Sequence, residues 1–225
     1  MAVEADNKII LDGQKISWHK DRVEAWLRGE RIAPITVDIG LTKACSYKCE
    51  FCCGKFQANT GHVLKRDHIF RFLDDAAEIG IRGISILGDG ESTLSPYFYD
   101  AVLRGKANGI DMAVGTNGYM LKDDRLDDIL PSLTYLRFNI SAGTPDRYAR
   151  IHGVKEEAFY KVIKTIKKAA EIKKNKNLAV TIGLQMVLLP DYGEDVLPLA
   201  RLGKELGADY LVIKHCSDDE LGTIG

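Results

Sequence analysis

Six short apolar or β-branched runs recur along this chain, and each is separated from the next by a stretch with helical spacing. The runs are Ile35–Ile39, Gly83–Leu87, Met112–Gly115, Tyr135–Ile140, Leu178–Leu188 and Tyr210–Ile213. Between them Ile69, Phe72, Leu73 and Ala76 form one apolar stripe. Phe159, Val162, Ile163, Ile166 and Ala170 form a second, and Val196, Leu199, Ala200 and Leu206 a third. Apolar residues at i, i+3, i+4 and i+7 are the pattern of a helix that buries one face. Strands joined by crossovers of about a dozen residues or more pair in parallel, and such units are right-handed. Two α/β architectures accommodate six strands with about five helices: an open doubly wound sheet, or a parallel barrel, complete or partial. Both put their chemistry at the C-terminal ends of the strands.

Upstream of this series, residues 8–17 (KIILDGQKIS) read as a β-hairpin around Asp12-Gly13. A helix is expected from His19 to Gly29, burying Val23, Trp26 and Leu27. The organisation is thus a hairpin-and-helix cap over residues 1–32 and a β/α core over 33–225. The chain stops shortly after the sixth run, where a closing helix would be expected, so it reads as a fragment of a longer enzyme or as an edge covered by a partner. Lys161–Lys176 reads as the solvated face of its helix.

Charge excludes some functions. Lys and Arg number 31 against 32 Asp and Glu, a net charge of −1, so there is no bulk field to track a nucleic-acid backbone. No run approaches the roughly 20 apolar residues of a membrane span. The polar, acidic start MAVEADNK lacks an apolar export core. A cytoplasmic chain with neither membrane nor nucleic acid as partner is expected.

Four of five cysteines fall within nine residues, at Cys45, Cys49, Cys52 and Cys53, directly after the first strand; Cys216 stands apart. In a reducing compartment such a cluster is read as metal-binding. The spacing Cys45-x3-Cys49-x2-Cys52 suits three irons of a cubane, leaving the fourth iron open to substrate. Zinc is the alternative; it wants four closed ligands, with Cys53, His62 or Cys216 as the fourth. His19, His62 and His68 otherwise stand alone and read as structural.

The stretch CSYKCEFC resembles the CxxxCxΦC signature of radical S-adenosylmethionine (radical SAM) enzymes, with Phe51 as the aromatic Φ residue. The resemblance extends over about residues 19–216. It implies a partial parallel (β/α)6 barrel and a [4Fe-4S] cluster whose open iron is chelated by S-adenosylmethionine. Gly88-Asp89-Gly90-Glu91-Ser92-Thr93-Leu94 is similar to the family's GGEPTL motif, which implies that Gly90 and Glu91 hold the methionine amino group of the cofactor. Asp89 and Ser92 depart from the motif. Thr116-Asn117-Gly118 resembles the TNG of the third strand end, which faces the substrate side, with Asn117 behind the residues that touch ligand. Asn139-Ile140-Ser141-Ala142 and Tyr148–Gly153 resemble the SIDG and YxxIRG segments. By that alignment Asn139 stands for Ser at the ribose, Ser141 for Asp, and His152 for Arg at the cofactor carboxylate. Gln185 is a lone polar residue in the run TIGLQMVLL, which places it inside a barrel near ligand or against neighbouring backbone. Cys53 reads as a small packing residue and Cys216 as a ligand only if a further cluster exists.

The lead-in DRVEAWLRGERIAPITVDIG looks like that of members carrying a SPASM-type extension. The resemblance implies an external electron donor such as flavodoxin or ferredoxin, and a peptide, sugar or small-metabolite substrate. The rival reading is a truncated or non-catalytic iron–sulfur or zinc-binding module.

Overall fold

The computed structural model describes residues 18–56 and 61–216, and the expected hairpin at 8–17 lies outside them. The chain divides into two compact units, Met1–Pro34 and Ile35–Gly225. In the described part of the first, helix α1 (Lys20–Leu27) carries Arg22, whose Nη1 donates to Ala33 O at 3.2 Å. The expected burial of Trp26 and Leu27 does not occur: both are exposed, and α1 has no buried residue. The described part of this unit contains no second helix or strand against which two turns of helix could pack.

The second unit alternates strand and helix in chain order: β1 (Thr36–Ile39), α2 (Arg66–Glu78), β2 (Gly83–Ile86), α3 (Phe98–Ala107), β3 (Asp111–Thr116), α4 (Leu126–Ile129), β4 (Leu133–Asn139), α5 (Pro145–His152), α6 (Glu156–Lys176), β5 (Thr181–Leu188), α7 (Val196–Leu206) and β6 (Tyr210–His215). These six strands pair in parallel, in the order β1-β2-β3-β4-β5-β6. A doubly wound sheet reverses direction at a switch point. Here every crossover steps the same way, so the sheet curls as a barrel wall, and among the described residues no β1–β6 pairing closes it.

Register separates two faces, because side chains alternate along each strand. Ile84, Ile86, Met112, Val114, Leu136, Phe138, Ile182, Leu184 and Met186 are buried. Helices lie close over this side: a Cβ on Gly105 of α3 would strike Met112 Sδ, and one on Gly203 of α7 would touch Leu184. The other, concave side carries Asp38, Ser85, Gly115, Arg137, Asn139 and Gln185, aligned by Asp38↔Ser85, Gly115↔Arg137↔Gly183 and Asn139↔Gln185. A polar and small-residue lumen beneath an apolar outer layer is how a barrel leaves room for ligand.

The helical stripes are present with one change. Ile69, Leu73 and Ala76 are buried in α2, and Phe159, Val162 and Ile166 in α6. In α7 Ala200 is exposed and Gly203 is buried instead, against Leu184. The Lys-rich face of α6 is solvated, with Lys164 and Lys176 paired to Asp123 and Asp127 at 3.3 and 2.5 Å. No helix among the described residues is long and apolar enough to cross a membrane.

Candidate active site

The loop after β1 is clamped on both sides by backbone. On one side the loop after β2 packs hard against it: a Cβ on Gly90 would lie 2.3 Å from Thr42 O and 2.7 Å from Ala44 O. Only glycine fits so close an approach. Glu91 N donates to Ala44 O at 2.8 Å, and Leu41 N to Ser92 Oγ at 3.1 Å. On the other side Lys48 N donates to His152 O and Glu50 N to Ile151 O, at 3.1 and 2.9 Å. Gly153 caps α5 at φ +60°, and a Cβ there would meet Lys48 O at 2.5 Å. The segments Gly90-Glu91 and Ile151–Gly153 therefore shape the cysteine loop first, by backbone contact.

Within that loop Cys45 is exposed, and Cys49 and Cys52 are half-buried; none is in a disulfide. Cys45 Sγ accepts from Tyr47 N at 3.4 Å and faces Asn117 Nδ2 at 4.0 Å. Cys49 Sγ lies 3.2 Å from His152 Nδ1. Burial pushes the Cys49 thiol well above its ordinary range, and the neighbouring Cys52 and Cys45 add to the rise. Cys45 is raised by burial too, with the Tyr47 amide opposing it. Thiols held this close become thiolates when cationic iron offsets their charge. N–H groups directed at the sulfurs fit thiolate acceptors of an iron–sulfur cluster. Among the described residues no three His, Cys, Asp or Glu side chains gather around a point for a single metal ion, whereas a cubane takes each thiolate on a separate iron. Cys53 is exposed on the short turn Cys53–Phe56, and Cys216 follows β6 with its N–H on Leu188 O.

Glu91 is buried, and four groups donate to its carboxylate. Thr93 N, Thr93 Oγ1 and Thr116 Oγ1 reach Oε1 at 3.1, 2.7 and 2.7 Å, and Asn117 N reaches Oε2 at 2.7 Å. A carboxylate has about four acceptor positions, two per oxygen. Oε1 is saturated, so a ligand ammonium would be met by Oε2. Asn117 extends this network: its Oδ1 accepts from Tyr119 N at 2.9 Å while Nδ2 faces Cys45.

Across the lumen Gln185 Nε2 donates to Asn139 Oδ1 at 2.9 Å, and the buried Gln185 Oε1 has no partner. Ser141 lies beyond the end of β4 and is fully buried; its Oγ accepts from Val187 N at 3.2 Å and its N–H reaches His152 Nε2 at 3.1 Å. Both ring nitrogens of His152 are thus engaged within the protein. Burial holds its pKa down at about 3, which favours the neutral imidazole over a carboxylate-binding cation. Phe51 packs edge-on against that ring at 5.6 Å between centroids.

Sequence reasoning passed over two features. Arg137 lies on the concave face one alternation below Asn139, between Gly115 and Gly183 in register, and its buried Nε has no partner. A charge within the apolar run Tyr135–Ile140 was the available signal. The loop after β5 reaches the cysteine loop: Tyr192 Oη donates to Glu50 at 2.9 Å under the Arg147 guanidinium, itself paired with Asp195 at 2.8 Å. Nothing local announces that contact.

A profile described as the Radical SAM superfamily matches residues 39–202, from the end of β1 into α7. The chain belongs to the radical SAM superfamily. Among curated relatives it is 28% identical over 187 residues to a probable GTP 3′,8-cyclase of Saccharolobus solfataricus, covering 83% of this chain and 58% of that protein. Streptococcus suis SuiB bound to S-adenosylmethionine is similar in structure, with a TM-score of 0.71 at 20% identity over 96% of this chain and 49% of SuiB. SuiB bound to the precursor peptide SuiA gives 0.69 at 19% identity, over 96% and 48%. This radical SAM chain therefore spans between about half and three-fifths of these proteins.

Proposed function

We propose that this chain is the barrel core of a radical SAM enzyme acting on a peptide or small-molecule substrate, with Cys45, Cys49 and Cys52 holding a [4Fe-4S] cluster. When bound, the cluster and S-adenosylmethionine supply a 5′-deoxyadenosyl radical that takes a hydrogen atom from the substrate. The observation that carries this reading is the cysteine loop at the C-terminal end of β1, clamped by backbone on both sides, with the Tyr47 N–H directed at Cys45 and a ring nitrogen of His152 at 3.2 Å from Cys49.

Glu91 Oε2 and the backbone at Gly90 receive the cofactor's amino group, and Phe51 sits within the cysteine loop beside it. Gln185 Oε1, unpartnered beside Asn139, accepts from a ribose hydroxyl. Ser141 and His152 act from behind, by holding β4, α5 and the cysteine loop together. The open lumen over Arg137 receives the substrate. The peptide on SuiB and the nucleotide in the cyclase's name support either substrate class. An external flavodoxin- or ferredoxin-type donor supplies the electron. Thiolate-ligated iron belongs in a reducing compartment, which supports a cytoplasmic location.

The test is anaerobic reconstitution with iron and sulfide, then dithionite with S-adenosylmethionine, reading 5′-deoxyadenosine. Product in the wild type and its absence in Cys49→Ala support the reading. Bound zinc, with no cluster and no product, overturns it.

A further inference from the structure

We propose that His152 donates a hydrogen bond from Nδ1 to the cluster ligand Cys49 and thereby makes the cluster easier to reduce; this rests on the functional reading above. The tautomer follows from geometry. Ser141 N–H can only donate, and it points at His152 Nε2 from 3.1 Å, so that nitrogen carries no proton. A neutral imidazole then has its proton on Nδ1, which lies 3.2 Å from Cys49 Sγ. The ring has no room to turn. It is fully buried, with Tyr148, Phe51 and Tyr47 at centroid distances of 4.4, 5.6 and 5.8 Å.

Hydrogen bonds to cluster sulfurs stabilise the added negative charge of the reduced state and so raise its potential. One electron enters from the external donor, and no proton moves. The contact at Cys49 is also shorter than those at Cys45, which has an amide at 3.4 Å and an Asn117 side chain at 4.0 Å. The loop does not need the imidazole for its position. Lys48 N and Glu50 N already bond to the main chain of residues 151–152. A charged donor in this enclosed space would carry a heavy desolvation cost, and a neutral imidazole supplies the N–H without it.

Two substitutions separate an electronic role from a structural one. His152→Gln places an amide near the Nε2 position, where it can still accept from Ser141 N–H but presents no donor to Cys49. His152→Asn places an amide nitrogen near Nδ1, keeping the donor and losing the acceptor. Each protein is reconstituted anaerobically, its iron and visible absorption are measured, and the reduced cluster's EPR signal is followed against poised potential. All three proteins are expected to hold the cluster. The midpoint falls in the Gln variant and stays near wild type in the Asn variant. Nitrogen-15 NMR of the metal-free protein should show His152 as the Nδ1–H tautomer, a readout that needs neither variant nor cluster. A loaded Gln variant with an unshifted midpoint, equal shifts in both variants, or the Nε2–H tautomer overturns the proposal and leaves the functional reading standing. A wild type that takes up no cluster overturns both.

Discussion

The two halves of the concave face are built differently. Around β1, β2 and β3 the polar groups are tied to one another: Glu91 takes four hydrogen bonds, Asn117 three contacts, and the loop carrying Cys45 is clamped by backbone on both sides. Across β4 and β5, Arg137 Nε and Gln185 Oε1 are buried without partners. An unsatisfied buried polar atom is costly, about 1–3 kcal/mol, and such atoms are tolerated where a ligand completes them. On the proposed reading the first half is preorganised for the amino end of the cofactor, and Gln185 in the second is left open for its ribose. The second keeps polar capacity open for what enters the lumen.

The comparison breaks most visibly at Gly90. Gly90→Ala forces a Cβ to within 2.3 Å of Thr42 O, and overpacking of this kind costs about 1–3 kcal/mol or more. A lowered melting temperature and loss of cluster uptake are expected; an unchanged melting curve would show that the clamp yields freely. Glu91→Gln comes next. Its amide NH2 must face at least one of the four present donors, at about 1–3 kcal/mol. Calorimetry should find S-adenosylmethionine binding weakened at least tenfold, and unaltered binding would remove Glu91 from the cofactor site.

Arg137→Gln sharpens the contrast from the other side. With no ion pair to lose among the described residues and an unpartnered buried Nε removed, stability should hold or rise. Substrate-free formation of 5′-deoxyadenosine should stay at the wild-type rate, while the KM of an identified substrate rises. A matching loss of substrate-free cleavage would place Arg137 with the cofactor half. The smallest effect lies outside both halves. Arg104 and then Asn108 hold the Asp74 carboxyl at about 2, below its ordinary 3.8. A folded pKa below the unfolded one adds stability above pH 3.8 that is lost as pH falls toward 2. Asp74→Asn should flatten that stretch of the acid-unfolding curve and leave reconstitution unchanged.

What could be read before folding follows the range of each interaction. The six runs lie within a few residues of the strands, and the three cysteines could be singled out, because strand alternation and ligand spacing are carried by near neighbours. Trp26 and Leu27 misled because an apolar stripe shows what a helix can bury, not that a partner is present. Ser141, aligned with the Asp of SIDG, lies past the end of β4 at Asn139, and its Oγ accepts from Val187 N. Arg137 gained its meaning only when Gly115 and Gly183 came into register beside it.

By itself the sequence determined a parallel β/α series with a three-thiol loop at the mouth of its first strand, since both are written in local spacing. Only the tertiary structure decided that the sheet winds one way, that Gly90 and Gly153 serve the cysteine loop by close approach, and that His152 turns its Nδ1 to Cys49. Those two residues are 103 positions apart. A contact at that separation is set by how β4 and α5 pack against the loop after β1, which no local pattern records.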